Sequence, residues 1–279
     1  MSCVRDLLDE GARALPGDEA RREASLLLRH ALGASDAWLV AHATDPVEPV
    51  HEDVFHDIVA RRARGEPIAY LIGTRGFHTL DLQVTPAVLI PRPETELLAD
   101  SALRRIPADA DCAVADLGTG SGAIALAIAR TRPRARVVAT DASEAALQVA
   151  RANAGRLELR EVEFAQGDWC AALGERRFDL IVSNPPYIAD GDPHLREGDL
   201  RFEPRGALAS GPDGLDAIRS IIPDARAHLH PGGWLLFEHG FDQGPAVRAL
   251  LAAHRYIQVF TERDIEGRER VSGAQLQGI

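Results

Sequence analysis

The chain has 279 residues, 46% of them hydrophobic, which suffices for a sizeable core in one or two domains and excludes a disordered class. Its formal net charge is −11 with no basic tail, so electrostatics favour a protein or small-molecule partner over nucleic acid. All 31 basic residues are arginine, which excludes a Schiff-base lysine and the lysine of a phosphate-binding P-loop.

Met1 to Glu10 carries acids early and lacks a long apolar stretch. No apolar run approaches the roughly 18 residues of a membrane span, so the cytoplasm is the expected location. Residues 1–74 show helical apolar spacing, through Val4, Leu7, Leu8, Ala12 and Leu15 and then Ala24, Leu27, Leu28 and Leu32. Breakers at Pro16-Gly17, Gly33 and Asp45-Pro46 separate the helices. Acids outnumber arginines here, so this helical unit is expected to hold a partner as a substrate-recognition domain, or to brace the rest, and not to act as a basic arm.

From Arg75 to Gln83 the pattern switches to alternation, with Phe77, Leu80, Leu82 and Val84 apolar, which predicts a short hairpin within a linker over residues 75–90. A third region, 91–279, alternates strands with helical stretches. Its strand candidates are Ala113 to Leu117, Arg136 to Thr140, Glu161 to Ala165, Phe178 to Ser183, Trp234 to Glu238 and Ile257 to Thr261. This is an α/β pattern with a mostly parallel, doubly wound sheet, to which Val271 to Gln275 adds a terminal antiparallel strand. Cys3, Cys112 and Cys170 are far apart and outside any Cys-x-x-Cys spacing, so they read as small core residues and not as a disulfide or a metal site.

Gly118-Thr119-Gly120-Ser121-Gly122 follows the first strand of the third region and opens a helix, where glycines let backbone approach a ligand. The loop alone leaves a dinucleotide open, because Gly118, Gly120 and Ala123 also fit that fingerprint. Asp141 ends the next strand, 21 residues after Gly120, where a carboxylate can accept from both hydroxyls of an adenosine ribose. Asp168 and Trp169 follow the third strand and are candidates for an adenine site, with a helix N-cap and partial core burial as their other readings.

Asn184-Pro185-Pro186-Tyr187 follows the fourth strand, on the same sheet edge. The tetrapeptide suits methylation of a planar nitrogen, whose lone pair is delocalised and whose growing positive charge needs acceptors around it. The Asn184 side-chain oxygen is one acceptor, and the Pro185 carbonyl is another that no competing N–H accompanies. Pro186 restricts Pro185 to extended geometry, and Tyr187 offers a flat wall. An adenosine-bearing methyl donor, S-adenosylmethionine, explains both the glycine loop and this motif, whereas a dehydrogenase gives the motif no task.

With these motifs in hand, the chain resembles the bacterial release factor glutamine methyltransferases, the PrmC or HemK family. The resemblance runs through Leu89-Ile90-Pro91-Arg92-Pro93-Glu94-Thr95-Glu96, the glycine loop, Asn184 to Ile188, Arg201 to Pro204, Gly211 to Leu215 and Glu238-His239-Gly240. It implies N5-methylation of the glutamine in the Gly-Gly-Gln motif of class 1 peptide chain release factors. It also implies a helical amino-terminal domain, a hairpin linker and a Rossmann-like domain with a seven-stranded sheet. Gly118 to Gly122, Asp141, Trp169 and Asn184 would then bind the cofactor, joined by Asp168, while Asn184 to Tyr187 grip the glutamine amide. A monomer acting on release factors, without metal, membrane or direct nucleic acid, is expected. One departure falls at Asp264 to Arg268, where an aromatic or small residue is expected after the aspartate.

Two other readings share the motif or the cofactor. A nucleic-acid amino methyltransferase would act on a flipped base and show activity on bare DNA or RNA. A non-catalytic regulator would bind S-adenosylmethionine without turnover. Arg92 and Glu94 stand between a crevice role and a surface ion pair, His239 between a structural hydrogen bond and a pocket wall, and His194 reads as a loop residue.

Overall fold

The computed structural model describes residues 2–278, which form two compact units dividing between Thr74 and Arg75. The first is helical, with α1 (Val4–Ala14), α2 (Ala20–Leu32), α3 (Asp36–Ala41), α4 (Pro49–Ala63) and α5 (Ile68–Ile72). Its core is the apolar stripe of the sequence, since Val4, Leu7, Leu27 and Leu28 are fully buried together with Phe55. Gly11 is required where α1 meets α4, because a Cβ there would stand 2.7 Å from the Phe55 ring. Local signals set the helix ends. Gly33 closes α2 in the left-handed conformation, Ser35 accepts from the Trp38 N–H to cap α3, and Pro49 opens α4.

The second unit contains β1 (Thr74–Phe77), β2 (Leu80–Gln83), α6 (Thr95–Arg105), β3 (Ala113–Leu117), α7 (Ala123–Thr131), β4 (Arg136–Asp141), α8 (Glu144–Arg156) and β5 (Glu163–Gln166). It continues with β6 (Phe178–Ser183), α9 (Asp216–His228), β7 (Leu229–Glu238), α10 (Gly244–Ala253), β8 (Tyr256–Arg263) and β9 (Glu269–Leu276). Seven strands form one sheet in the order β5-β4-β3-β6-β7-β9-β8. The five from β5 to β7 run parallel, and β9 is antiparallel to both of its neighbours. Val271 to Gln275 thus lies in an antiparallel strand, as expected, which is wedged between β7 and β8.

Strand residues alternate between two cores, as a pleated strand covered on both faces requires. Val114, Leu180 and Val182 join Leu98 of α6 and Leu126 of α7, whereas Ala115 and Ile181 join Ile218 of α9 and Leu251 of α10. The hairpin β1–β2 is part of this unit. Phe77, Leu80 and Leu82 lie in the first of these cores. The buried Asn153 side chain accepts from the Gln83 N–H at 2.7 Å and donates to its carbonyl at 2.9 Å.

Register decides where chemistry can collect. Leu117 at the end of β3 pairs with Thr140 of β4 on one side and Ser183 of β6 on the other. The next residues along the three strands are Gly118, Asp141 and Asn184. Strand order reverses at β3, so all three emerge at the carboxyl-end crevice where open α/β sheets bind ligands.

Candidate active site

A crevice of about 330 Å³ opens at that edge. Gly118 to Ser121 line it after β3, Asp141 at the end of β4, Asp168 and Trp169 after β5, and Asn184 and Pro186 after β6. Three expected residues do not line it. Gly122 is the N-cap of α7 with φ +86°, and a Cβ there would meet Leu126 at 2.9 Å, so it serves helix packing. Pro185 is buried. Tyr187, expected as a flat wall, instead donates its hydroxyl to Glu238 Oε1 at 3.2 Å.

The glycine loop is held from below. Thr140 O accepts from the N–H groups of Gly118 and Thr119 at 2.9 and 2.8 Å. The buried Asp116 carboxylate accepts from the Thr119 hydroxyl at 2.6 Å and from Ala125 N–H at 3.2 Å. Burial pushes Asp116 up to about 7, against these two hydrogen bonds. Gly118 has φ +72°, and a Cβ there would come within 3.2 Å of the Trp169 ring. Only glycine supplies both the left-handed backbone and the close approach.

Asp141 accepts from Gly120 N–H at 3.0 Å through one oxygen and from Ser143 N–H at 2.9 Å through the other. Each carboxylate oxygen retains a lone pair, so the group can still take two hydroxyl donors. Asp168 occupies the N-cap position of a short 3-10 turn over Trp169–Leu173, yet its side chain makes no capping bond. Trp169 has φ +44°, an unusual conformation for so bulky a residue, and it presents its ring beside Gly118. A carboxylate with spare lone pairs, a backbone cradle and an aromatic surface together form a donor and acceptor set that fits an adenosine.

Asn184 donates its side-chain N–H to the Thr95 hydroxyl oxygen at 3.1 Å, leaving Oδ1 as the end available to a ligand. The motif backbone is also fixed, since Gln243 Nε2 donates to the Tyr187 carbonyl at 3.0 Å. Gly214, with φ +76°, is pressed against that carbonyl, and a Cβ there would stand 2.1 Å from its oxygen. This contact gives the Gly211 to Leu215 segment a physical task.

The segment before α6 forms a further wall, with Val88, Leu89 and Pro91 lining the crevice. Arg92 anchors it through an ion pair with Glu203, whose carboxylate is wholly buried and also accepts from Ile90 N–H at 3.1 Å. Arg92 thus braces the wall without lining the crevice, and Glu94 is exposed. His239 is fully buried, bonded to Gly240 O and Ser272 Oγ at 2.8 Å each, so its role is structural. His194, expected in a loop, is exposed in a 3-10 turn over Pro193–Arg196 and paired with Asp192 at 2.7 Å. The departing segment at Asp264 is a closed turn in which that carboxylate accepts from the N–H groups of Glu266 and Arg268.

Glu238, not assigned a role from sequence, is 1% exposed and pushed up to about 7 by burial. Because the folded state holds this proton more tightly than the unfolded chain, the benefit is full below the ordinary value of 4.5 and is lost as pH rises through about 7. Glu238→Gln cannot ionise. Between about pH 5 and about pH 8 its urea stability is expected to fall less than that of the parent protein, by a margin on the order of 3 kcal/mol. Parallel pH profiles for the two proteins would contradict this assignment.

Comparison with known proteins agrees with the geometry. The PrmC N-terminal domain family matches residues 6–73, and the methyltransferase small domain family matches residues 95–197. The chain is 55% identical to the release factor glutamine methyltransferase of Xylella fastidiosa strain Temecula1, over 93% of this chain and 94% of that protein. It is 52% identical to the release factor glutamine methyltransferase of Bordetella pertussis, over 99% of this chain and 100% of that one. Among solved structures, a methyltransferase from Pyrococcus furiosus shares the fold at 20% identity and a TM-score of 0.55, covering 79% of this chain and 98% of that one. With relatives above half identity over nearly its whole length, the chain belongs to the release factor glutamine methyltransferase family.

Proposed function

We propose that the crevice binds S-adenosylmethionine and that the protein transfers its methyl group to N5 of the glutamine in the Gly-Gly-Gln motif of class 1 peptide chain release factors. One observation carries this reading: the glycine loop, Asp141 and Asn184 line a single crevice, so an adenosine site and an amide-gripping group face one space. Family membership supplies the acceptor class, because the relatives are release factor glutamine methyltransferases.

When bound, the cofactor supplies a methyl group already activated on its sulfonium. The chain's own residues then bind and orient. Asp141 would accept from the ribose hydroxyls, Asp168 and Trp169 would hold the adenine, and the Gly118 to Ser121 backbone would hold the rest of the donor. Asn184 Oδ1 would accept from the glutamine N–H groups, favouring the positive charge that grows on nitrogen during attack. Alignment of the two ligands supplies most of the acceleration, as expected for a reaction with a pre-activated donor. The N-methylated amide is acidic enough at that stage to lose its proton without a dedicated base. The helical first unit serves to recognise the release factor, the reaction runs in the cytoplasm, and the working form is a monomer.

Parallel incubations with labelled S-adenosylmethionine test the acceptor class. Label is expected on a recombinant class 1 release factor and not on bare RNA or DNA. Label on nucleic acid alone would replace this reading with the amino methyltransferase of bases.

A further inference from the structure

Among the described residues of the second unit, three large apolar side chains are exposed: Phe241, Ile257 and Ile265. Two of them stand at the sheet edge that carries the crevice. Ser183 of β6 pairs with Phe237 of β7, so Asn184 and Glu238 leave the sheet side by side, and Phe241 follows three residues later, 61% exposed. β9 is antiparallel to β7, with Val271 opposite Glu238, so the turn before β9 lies at the same edge and carries the fully exposed Ile265. Ile257, near the start of β8, lies at the opposite edge. Both loops are tied to the motif. Gln243 Oε1 accepts from Gly240 N–H at 2.8 Å, while its Nε2 donates to the carbonyls of Tyr187 and Asp213 at 3.0 and 3.1 Å. Arg270 O accepts from His239 N–H at 2.9 Å, and Arg270 Nε donates to Asp264, the neighbour of Ile265, at 3.0 Å.

The charges around these two side chains are met within the chain. Arg248 and Arg263 pair with Glu269 at 2.9 Å each, Arg268 with Glu266 at 2.8 Å and Arg270 with Asp264 at 3.0 Å. A nucleic-acid backbone is held by cations that can turn to phosphate, whereas a protein surface is held by a few apolar anchors on firm supports. We propose that Phe241 and Ile265 form an acceptor-docking surface beside the crevice, on which an apolar patch of the release factor seats next to its Gly-Gly-Gln loop. This rests on the reading of the release factor as the acceptor. The hydrogen-bonded turn presents Phe241 with little left to order on binding. Gln243, which closes that turn, also holds the Tyr187 carbonyl, so the docking surface keeps a fixed relation to the motif that grips the glutamine.

The test compares the parent protein with Phe241→Ala, with the double variant Phe241→Ala and Ile265→Ala, and with Ile257→Ala, which removes an exposed apolar side chain from the opposite edge. KM for a release factor is expected to rise about 10- to 30-fold in Phe241→Ala, the loss of one interface anchor, and about 100-fold in the double variant. KM for S-adenosylmethionine and kcat at saturating release factor should stay within about threefold of the parent, a split that general loss of structure would not produce. Ile257→Ala should leave all three constants within about twofold. A double variant whose KM for the release factor stays within about threefold of the parent value overturns the proposal, as does an equal rise in Ile257→Ala.

Calorimetric binding of an unmethylated release factor gives a readout independent of turnover, and its dissociation constant should follow the same order across the series. A parent protein that binds the release factor through this surface yet leaves its glutamine unmethylated would support the docking site and refute the reaction alone. Methylation by the parent, with binding unchanged in the double variant, would leave the reaction standing and refute the docking site alone.

Discussion

Asn184→Ala is expected to lower kcat by about 10²- to 10³-fold, the effect of removing one fixed group that stabilises charge in the transition state, or about 3 kcal/mol. The loss should fall on turnover. Asn184 lines the crevice, and its side chain makes one hydrogen bond to the protein, to Thr95. Removing that bond costs about 1 kcal/mol of folding stability, so the variant should stay folded. Affinity for S-adenosylmethionine, measured by calorimetry, should change by no more than about threefold. Single-turnover methylation of a release factor reads the chemical step directly. Near-normal turnover in Asn184→Ala would remove this residue from the reaction.

Asp141→Ala is expected to act on the other ligand. The carboxylate anchors the loop through Gly120 N–H and the start of α8 through Ser143 N–H, and its remaining lone pairs are those proposed to hold the ribose. Its removal therefore loosens the cradle and deletes two charge-assisted hydrogen bonds to the ligand. Each such bond contributes about 1.5 kcal/mol or more, so the dissociation constant for S-adenosylmethionine should rise about 100-fold. At saturating cofactor, kcat should recover to within about tenfold of the parent. An unchanged dissociation constant would refute the ribose assignment, and a loss confined to kcat would move Asp141 to the acceptor side.

These contrasting expectations rest on features that differ in how far the sequence reveals them. The parallel strands were legible because strands buried on both faces are short, predominantly apolar runs, as in Phe178 to Ser183 and Ala113 to Leu117. Gly118, Asp141 and Asn184 were legible because each follows such a run, and the switch-point rule then places them together. The position of β9 between β7 and β8 was not legible, because an antiparallel strand can pair with either edge of a neighbour and the order is settled by packing. The hairpin read as a linker for a related reason. Its alternation announces a buried face but not the surface it meets, which is the core shared with α6 and α7.

The network behind the motif was hidden by chain distance. Thr95, Tyr187 and Glu238 lie on separate elements, and nothing in the local pattern around them marks Thr95 as the partner of Asn184 or Glu238 as the partner of Tyr187. Glu238 follows an apolar run, which places it at a sheet edge, but its burial depends on α6 and on the loop after β6. Arg92 presents the same difficulty, since its partner Glu203 is 111 residues away. Tyr187 presents it too, since its hydroxyl partner Glu238 lies 51 residues away.

The central claim is that this crevice methylates one glutamine of a release factor. Tandem mass spectrometry of a recombinant class 1 release factor, after incubation with the protein and S-adenosylmethionine, tests it most directly. The expected result is a single added methyl on the side chain of the Gly-Gly-Gln glutamine, absent when Asn184→Ala replaces the parent protein. A release factor left unmodified at that glutamine, under conditions where calorimetry shows the cofactor bound, would contradict the account.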